Sequence, residues 1–103
     1  MEEGIPTGDE LVALLAALAS PHRMRVVAAL AGGRNYVSQL ARDLGISRAL
    51  LQVHLKKLEA SGLVTSTLEV SEDGKAMNYY EVVPFAVHLT PATVERASTT
   101  LTI

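Results

Sequence analysis

The residues whose types and spacing best suit a chemical role lie between positions 47 and 60. At 3.6 residues per turn, three leucines share one narrow helical face: Leu51, Leu55 and Leu58. The opposite face carries Ala49, Gln52, Val53 and Lys56. A small residue, an amide, a branched aliphatic side chain and a cation suit a DNA groove, where base edges and thymine methyls are read. This pattern favours DNA recognition, with the leucines turned inward.

Other kinds of chemistry lack the residues they need. The chain has no cysteine, which removes disulfides, thiolate nucleophiles and cysteine-bound metals. His22, His54 and His88 have no spacing that brings two ligands onto one helical face, and His54 is expected to be a structural histidine. The sequence contains no glycine-rich phosphate loop and no Ser/His/Asp or paired-carboxylate grouping on a predictable pocket. We therefore expect no enzyme, no bound metal and no cofactor.

A shorter helix and a tight turn precede the candidate recognition segment. Residues 37–44 have an apolar side, and Gly45 ends that helix because glycine accepts the left-handed conformation found at helix C-termini. The Ser47 hydroxyl can then accept a hydrogen bond from an orphan amide of the next helix. Residues 37–60 are therefore predicted to form a helix-turn-helix.

Start signals place three further helices around this unit. Thr7 and Glu10 form a capping box, which begins a first helix. Ser20-Pro21 and Thr90-Pro91 each supply a hydroxyl cap followed by proline at the first helical position.

Residues 63–83 alternate in a β-prone pattern around a polar, glycine-containing turn, which predicts a β-hairpin. The order helix-helix-helix-helix-strand-strand-helix predicts a mainly α fold with a small β-hairpin wing (α+β), a winged helix-turn-helix. We expect one domain over 1–103, with a flexible N-terminus at 1–6 and a C-terminal helix at 91–100.

Charge is distributed unevenly along the 103 residues, whose net charge is −2. Residues 1–10 hold four acids and no bases, whereas residues 20–60 hold seven bases and two acids. A local positive field, more than the total charge, governs attraction to phosphates. The bases coincide with the predicted helix-turn-helix, which favours a nucleic-acid role over chance composition.

The N-terminal residues are acidic and lack the charged-then-apolar pattern of a signal peptide. The uncharged run at 11–21 is roughly half the length that spans a bilayer. We therefore expect a cytoplasmic protein with no membrane partner.

The first helix carries a leucine stripe and alanines with no charge for three turns, so one of its faces is expected to meet another helix. In so small a chain that helix would come from a second copy. The alternative is an alanine-rich surface helix without a partner. Apolar positions of the first and last helices make up the predicted dimer interface: Leu11, Leu14, Leu15, Leu18, Val94, Ala97 and Leu101.

Three segments match one known pattern in order. LASPHRMRVV at 18–27 is similar to "LADPTRLRIL", LARDLGIS at 40–47 to "LAxxLGxS", and VHLKKLEASGLV at 53–64 to "HHLKxLxxAGLV". These are motifs of the ArsR-type family of winged-helix transcriptional regulators, which the chain resembles from about residue 15 to 82. Similar domains occur in other winged-helix regulator families.

The resemblance implies a homodimer that uses its first and last helices, with recognition helices in adjacent major grooves of double-stranded DNA and wings near the flanking minor grooves. Gln52 can read adenine, Val53 can meet a thymine methyl, and Arg48 can read guanine or hold a phosphate. The expected DNA contacts are Ser38, Gln39, Ser47, Arg48, Ala49, Gln52, Val53, Lys56 and Lys75. Of these, Ser38 and Gln39 would bind phosphate through their backbone amides.

Two departures from the family pattern matter. Metal-sensing members use cysteines or clustered His/Asp ligands, so this chain is not expected to be a cysteine-type metal sensor. In the predicted wing, Glu69, Glu72 and Asp73 outnumber Lys75, so the wing should add little DNA affinity or contact a protein instead. A winged-helix module that binds protein, with weak or no DNA binding, is therefore the alternative function. The operator, the direction of regulation and any effector are not indicated.

Overall fold

The computed structural model describes residues 6–102, so the predicted flexible segment 1–6 lies outside the described residues except for Pro6. The elements in chain order are α1 (Gly8–Leu18), α2 (Pro21–Ala31), β1 (Asn35–Tyr36), α3 (Val37–Leu44), α4 (Arg48–Ala60), β2 (Val64–Val70), β3 (Ala76–Val82) and α5 (Pro91–Ser98). The start signals act as the sequence predicts: the side chains of Thr7, Ser20, Ser47 and Thr90 each accept a hydrogen bond from a backbone N–H in the first turn that follows.

The predicted winged helix-turn-helix fold, mainly α with a β wing, is confirmed. The sheet nevertheless has three antiparallel strands in the order β1-β3-β2, one more than the predicted hairpin. Asn35 pairs with Tyr80, and Tyr36 with Tyr79. Two residues are too few to show a period of two, so β1 exists only through its pairing with a strand about 40 residues later in the chain.

The hairpin of β2 and β3 runs in register from Val64 opposite Val82 to Val70 opposite Ala76. Its base contributes Val64 and Tyr80 to the core. On the same face of β2, Leu68 and Val70 are 68% and 69% exposed, because the wing extends beyond the helices that cover its base.

One hydrophobic core joins α1, α2, α3, α4 and the base of the sheet. Its buried side chains are Ala17, Val26, Leu30, Val37, Leu40, Ala41, Leu51, Leu55, Leu58, Leu63, Val64 and Tyr80. α5 contributes no buried residue. The helix-turn-helix and the base of the wing therefore form one packed unit, to which α5 is attached from outside.

α5 and the residues after it dock on the start of α1. The Gly8 amide donates to the Thr100 hydroxyl at 2.7 Å, and the Thr102 amide donates to the Asp9 carboxylate at 3.1 Å. A Cβ added at Gly8 would collide with the Ala97 carbonyl oxygen and lie 2.8 Å from Leu101 Cγ. The absence of a side chain at position 8 thus sets how closely the two helices approach.

This attachment leaves the molecule elongated, with extents of 52 × 28 × 24 Å. The radius of gyration is 15.8 Å. A compact domain of about 100 residues has a radius near 13 Å. Apolar surface on α1 and α5 accordingly stays uncovered, including Leu15 at 40% and Val94 at 47% exposure.

We expect Gly8→Ala to destabilise the fold although alanine is the better helix former. The added methyl meets backbone, which cannot yield without moving α5, and such overpacking costs about 1–3 kcal/mol. The thermal midpoint should fall by several degrees. Gly32→Ala is the matched control, because a Cβ at Gly32 lies 3.6 Å from its nearest neighbour, the Ala29 carbonyl oxygen. A Gly8→Ala chain as stable as wild type would contradict the close docking of α5.

Candidate nucleic-acid interface

The two faces of α4 differ completely in exposure. Leu51, Leu55 and Leu58 are each 0% exposed. The other face is open to solvent along its whole length and carries Ser47, Arg48, Ala49, Gln52, Val53 and Lys56. Val53 is 53% exposed, so an aliphatic side chain sits among polar groups on an uncovered surface. Burial of the leucines thus fixes the rotation of the helix and presents the six predicted residues outward.

The turn before α4 sets the angle at which that face is presented. Gly45 has φ = 69°, the left-handed conformation that glycine adopts without steric cost, and the Ile46 amide donates to the Ala41 carbonyl at 3.1 Å. The Leu50 amide then donates to the Ser47 hydroxyl at 3.1 Å. Both ends of the turn are therefore held by hydrogen bonds.

A small cleft of about 180 Å³ lies where α3, α4 and β3 meet. Its lining residues are Tyr36, Val37, Ser38, Arg48, Gln52, Ala76, Met77 and Asn78. Tyr36 is the N-cap of α3 and makes no side-chain capping bond, so no side-chain cap occupies the amides of that first turn. Backbone donors, a guanidinium and two amide side chains at one place form a set that suits a phosphate oxygen.

The cleft brings together three of the predicted contacts, Ser38, Arg48 and Gln52, and adds Tyr36 and Asn78, which sequence reasoning missed. Asn78 reaches this place only because β3 pairs with β1, and that register leaves no local signal in the sequence.

The remaining predicted residues lie elsewhere. The Gln39 side chain donates to Asp43 at 2.7 Å and accepts from Arg42 at 2.7 Å, so it is already engaged within α3. Lys75 lies at the wing turn with an exposed side chain. Ala49, Val53 and Lys56 lie on the open face of α4 and are not among the residues that line the cleft.

Arg34 ties the wing to the body of the domain. Its guanidinium donates to both Glu69 oxygens, at 2.5 and 3.1 Å, and lies 4.2 Å from the centroid of the Tyr79 ring. Tyr79 in turn makes an edge contact with Tyr36 at 5.8 Å between ring centroids. The hydrogen bonds from Arg34 hold the pKa of Glu69 below its ordinary value.

The ion pair with Arg34 makes the net negative charge of the wing smaller than its sequence indicates. Glu69 is paired with Arg34, and the Asp73 carboxylate accepts from the Ser71 hydroxyl and from the Lys75 amide. These hydrogen bonds, first of all that of Ser71, lower the pKa of Asp73. Both acids are ionised at neutral pH. Arg34 offsets the charge of Glu69, whereas the neutral donors at Asp73 leave its charge in place.

Arg23 links the first helix to α4. Its Nε donates to the Ala17 carbonyl at 2.6 Å, and one terminal nitrogen lies 3.4 Å from the Ala16 carbonyl. These are carbonyls of the last turn of α1, where a cation is favoured. The other terminal nitrogen lies 3.3 Å from His54 Nδ1. Because arginine can only donate, Nδ1 accepts and the proton of neutral His54 sits on Nε2.

His54 is therefore held in its neutral form, as the structural histidine that the sequence predicts. Burial lowers its pKa below 6.5, and the neighbouring charges of His22, Arg23 and Lys57 lower it further. The buried Nε2 has no hydrogen-bond partner among residues 6–102.

Comparison with known proteins decides the family. The model of the family described as bacterial regulatory protein, arsR family, matches residues 20–66. An uncharacterised HTH-type transcriptional regulator of Methanocaldococcus jannaschii is 31% identical over 80 residues, which are 78% of this chain and 83% of that protein. The chain belongs to the ArsR family of transcriptional regulators.

Two further relatives show how far the likeness extends. The HTH-type transcriptional regulator CmtR of Mycobacterium tuberculosis is 45% identical over 53 residues, which are 52% of this chain. That match spans only 45% of CmtR. The solution structure of a homodimeric winged helix-turn-helix DNA-binding domain from Mycobacterium bovis shares the fold, with a TM-score of 0.65, 21% identity, and coverage of 88% of this chain and 74% of that one.

The residues predicted for a dimer interface divide into two groups in this ArsR-family chain. Leu11 is buried, and Leu14 and Leu18 pack against the core of their own chain. Ala97 is partly covered, facing Gly8. Leu15, Val94 and Leu101 remain at least 40% exposed. The apolar surface open to a second copy is therefore narrower than the sequence suggests, and it also includes Val12 at 49% exposure.

Within residues 6–102 no group of three or more His, Asp or Glu side chains is placed to hold a metal ion. No single helix in that range is long and apolar enough to cross a membrane. α1 and α2 pass that test only as a pair bent by 93°.

The environment of His54 predicts a stability that falls in mild acid. Its folded-state pKa lies below the unfolded value of 6.5. As the pH drops below that value, the unfolded chain binds a proton that the folded chain resists, so stability declines until the folded-state pKa is passed. His54→Gln keeps an acceptor for Arg23 and does not titrate. We expect the thermal midpoint to fall less between pH 7.5 and pH 5 in His54→Gln than in wild type.

The matched control is His88→Gln, because His88 is exposed. This variant should keep the wild-type pH dependence of the thermal midpoint. Parallel pH curves for wild type and His54→Gln would show that His54 titrates equally in both states.

Proposed function

We propose that this chain acts as a homodimeric, sequence-specific regulator that binds double-stranded DNA with α4 in the major groove. The observation that carries the proposal is the exposed face of α4, whose polar and small residues are held outward by three fully buried leucines. A helix in the major groove reads bases with side chains of these types.

Each exposed residue has a role suited to its chemistry. Gln52 can pair with adenine through both amide groups, and Val53 can meet a thymine methyl. Arg48, which also lines the cleft at the start of α3, can read guanine or bind the phosphate held there. Ser47, Ala49 and Lys56 complete the contact surface on α4, and Lys75 would contribute from the wing.

The backbone amides of Ser38 and Gln39 would anchor a phosphate at the start of α3. The free N-cap position at Tyr36 supports this role, since a side-chain cap would compete for the same donors. Asn78, on the facing strand, would add a further donor to that phosphate.

A homodimer would cover the remaining apolar surface of α1 and α5. The exposure of Val12, Leu15, Val94 and Leu101 supports this, as does the elongated shape of the single chain. The Mycobacterium bovis domain of the same fold is homodimeric. Twofold symmetry would then place two α4 helices in successive major grooves, about 34 Å apart.

We propose further that the protein does not sense metal through cysteine, since the chain contains none. Its cytoplasmic location and the absence of an enzymatic activity also remain predictions. One observation favours the alternative, a protein-binding module: Leu68 and Val70 on the wing are more than two-thirds exposed. DNA binding separates the two functions.

We expect retention on duplex DNA from a selected random-sequence library to weaken steeply with salt, because each neutralised phosphate releases counterions. Arg48→Ala and Lys56→Ala should each weaken binding by about 1–3 kcal/mol if the residue reads a base, or reduce the salt slope by about 1 if it holds a phosphate. Fluorescence anisotropy at several salt concentrations measures both quantities.

The control is Arg96→Gln. It also removes one positive charge, but from α5, and should leave DNA affinity and the salt slope unchanged. Absence of DNA binding at low ionic strength, or binding that salt does not affect, would refute the regulator and favour the protein-binding module.

For the dimer, sedimentation at micromolar concentration should give about twice the chain mass of 11.0 kDa. Leu15→Glu should yield a folded monomer, because a charge at this exposed position costs little within one chain but opposes burial between two. Leu68→Glu, at an exposed leucine on the wing, should stay dimeric. If the wild-type chain is a monomer at these concentrations, the proposed binding of a dimer to two DNA half-sites is refuted.

A further inference from the structure

A larger cleft, of about 360 Å³, lies where α5 and the segment before it pack on α1. Its lining residues are Pro6, Leu11, Val87, His88, Thr93, Arg96, Ala97, Thr99 and Thr100. Small-molecule sites occupy about 300–1,000 Å³ and combine apolar walls with a few polar groups. This cleft has the size and the mixed lining of such a site.

The threonines of the cleft are already engaged. Thr93 Oγ1 accepts from the Thr90 amide at 2.8 Å and donates to the Thr90 carbonyl at 3.0 Å. The hydroxyls of Thr99 and Thr100 donate to carbonyls of α5, at 2.7 and 3.0 Å. Each of these hydroxyls has only one O–H donor and already uses it within the chain, so none is free to donate to an anionic ligand.

Arg96 and His88 are the polar side chains of the cleft that remain available. Across residues 6–102, neither makes a hydrogen bond or an ion pair through its side chain. Arg96 is a permanent cation with a fork of donors that matches a carboxylate. Leu11, Val87 and Ala97 supply apolar walls beside it.

From this juxtaposition we propose that the cleft binds a small organic monocarboxylate, with its carboxylate on Arg96 and His88 and its apolar body against Leu11, Val87 and Ala97. Inorganic phosphate would pair with Arg96 but would leave the apolar walls exposed to water. A neutral compound would leave Arg96 without a partner. The two kinds of lining together therefore favour an anion with an apolar body.

The position of the cleft gives the ligand a means of control. Its walls come from α1, from the segment before α5 and from α5 itself, and the exposed sides of these helices are the surface proposed for dimerisation. A ligand that binds one arrangement of α1 and α5 more tightly than another shifts the balance between them. This regulatory step depends on the proposed function, whereas ligand binding itself does not.

Benzoate is the test ligand, titrated into the ¹⁵N-labelled full chain and followed through amide chemical shifts. We expect saturable shifts at residues 87–100 and at Leu11, with a dissociation constant on the order of 1 mM for so small a ligand. Benzamide, the neutral analogue of similar shape, and inorganic phosphate should each bind at least about tenfold more weakly, since neither offers both a carboxylate and an apolar body.

Substitutions at Arg96 test whether this residue binds the carboxylate. Arg96→Gln should weaken benzoate binding at least about tenfold, and Arg96→Lys should recover part of it because the charge returns without the fork. Arg25→Gln, at another exposed arginine, should bind benzoate as wild type does. Both positions are at the surface, so folding should be preserved.

The outcomes separate the two proposals. Equal shifts with benzoate and benzamide, or an unchanged affinity in Arg96→Gln, would overturn the carboxylate site. Absence of any benzoate shift in a chain shown to be dimeric would also overturn it, because the second copy would then fill the cleft. Benzoate binding by a chain that fails to bind DNA would support the site while refuting the regulator.

Discussion

The structure depends above all on the burial of one face of α4. Leu51, Leu55 and Leu58 are fully excluded from water, and burying a leucine side chain contributes about 1.5–3 kcal/mol. These side chains belong to the same core as α2, α3 and the base of the sheet. A rotation of α4 that moved Gln52 or Lys56 inward would expose leucine and bury polar groups without partners. The packing of the core therefore also determines which residues are offered to a nucleic acid.

The parts of the fold that could be predicted from the sequence are those with local causes. The turn at Gly45 and the cap at Ser47 each form hydrogen bonds to residues no more than four positions away. Residue spacing alone therefore predicts the helix-turn-helix. It does not predict β1, whose two residues become a strand only by pairing with β3. The Arg34–Glu69 ion pair likewise joins residues 35 positions apart, and nothing near either residue indicates its partner. β1 and this ion pair both depend on long-range pairing, so the sequence does not predict them.

The candidate site shows the same division between what is local and what is not. The open face of α4 follows from helical periodicity, whereas the cleft beside it requires α3, α4 and β3 to meet. The charge count of residues 20–60 also overstates how many cations are free to contact a phosphate. Arg23 and Arg34 belong to the seven bases of that region, yet both hold elements of the fold together. The cationic side chains free to contact a phosphate directly are therefore fewer than the sequence suggests.

α1 is bonded at its two ends to two distant parts of the domain, and Arg23 makes the contacts at its C-terminal end. At its start, Gly8 and Asp9 are bonded to residues that follow α5, and at its end the carbonyls of Ala16 and Ala17 hold Arg23, which reaches His54 in α4. An α-helix of 11 residues transmits a displacement at one end as a tilt at the other, because its own hydrogen bonds resist bending. A change in how α5 docks can therefore alter the setting of α4 only if α1 moves as a unit and Arg23 keeps both of its contacts. These contacts form a continuous path from α5 through α1 to α4. Functional coupling between the ligand cleft and α4 also requires that α1 have two discrete positions, each favoured by one ligand.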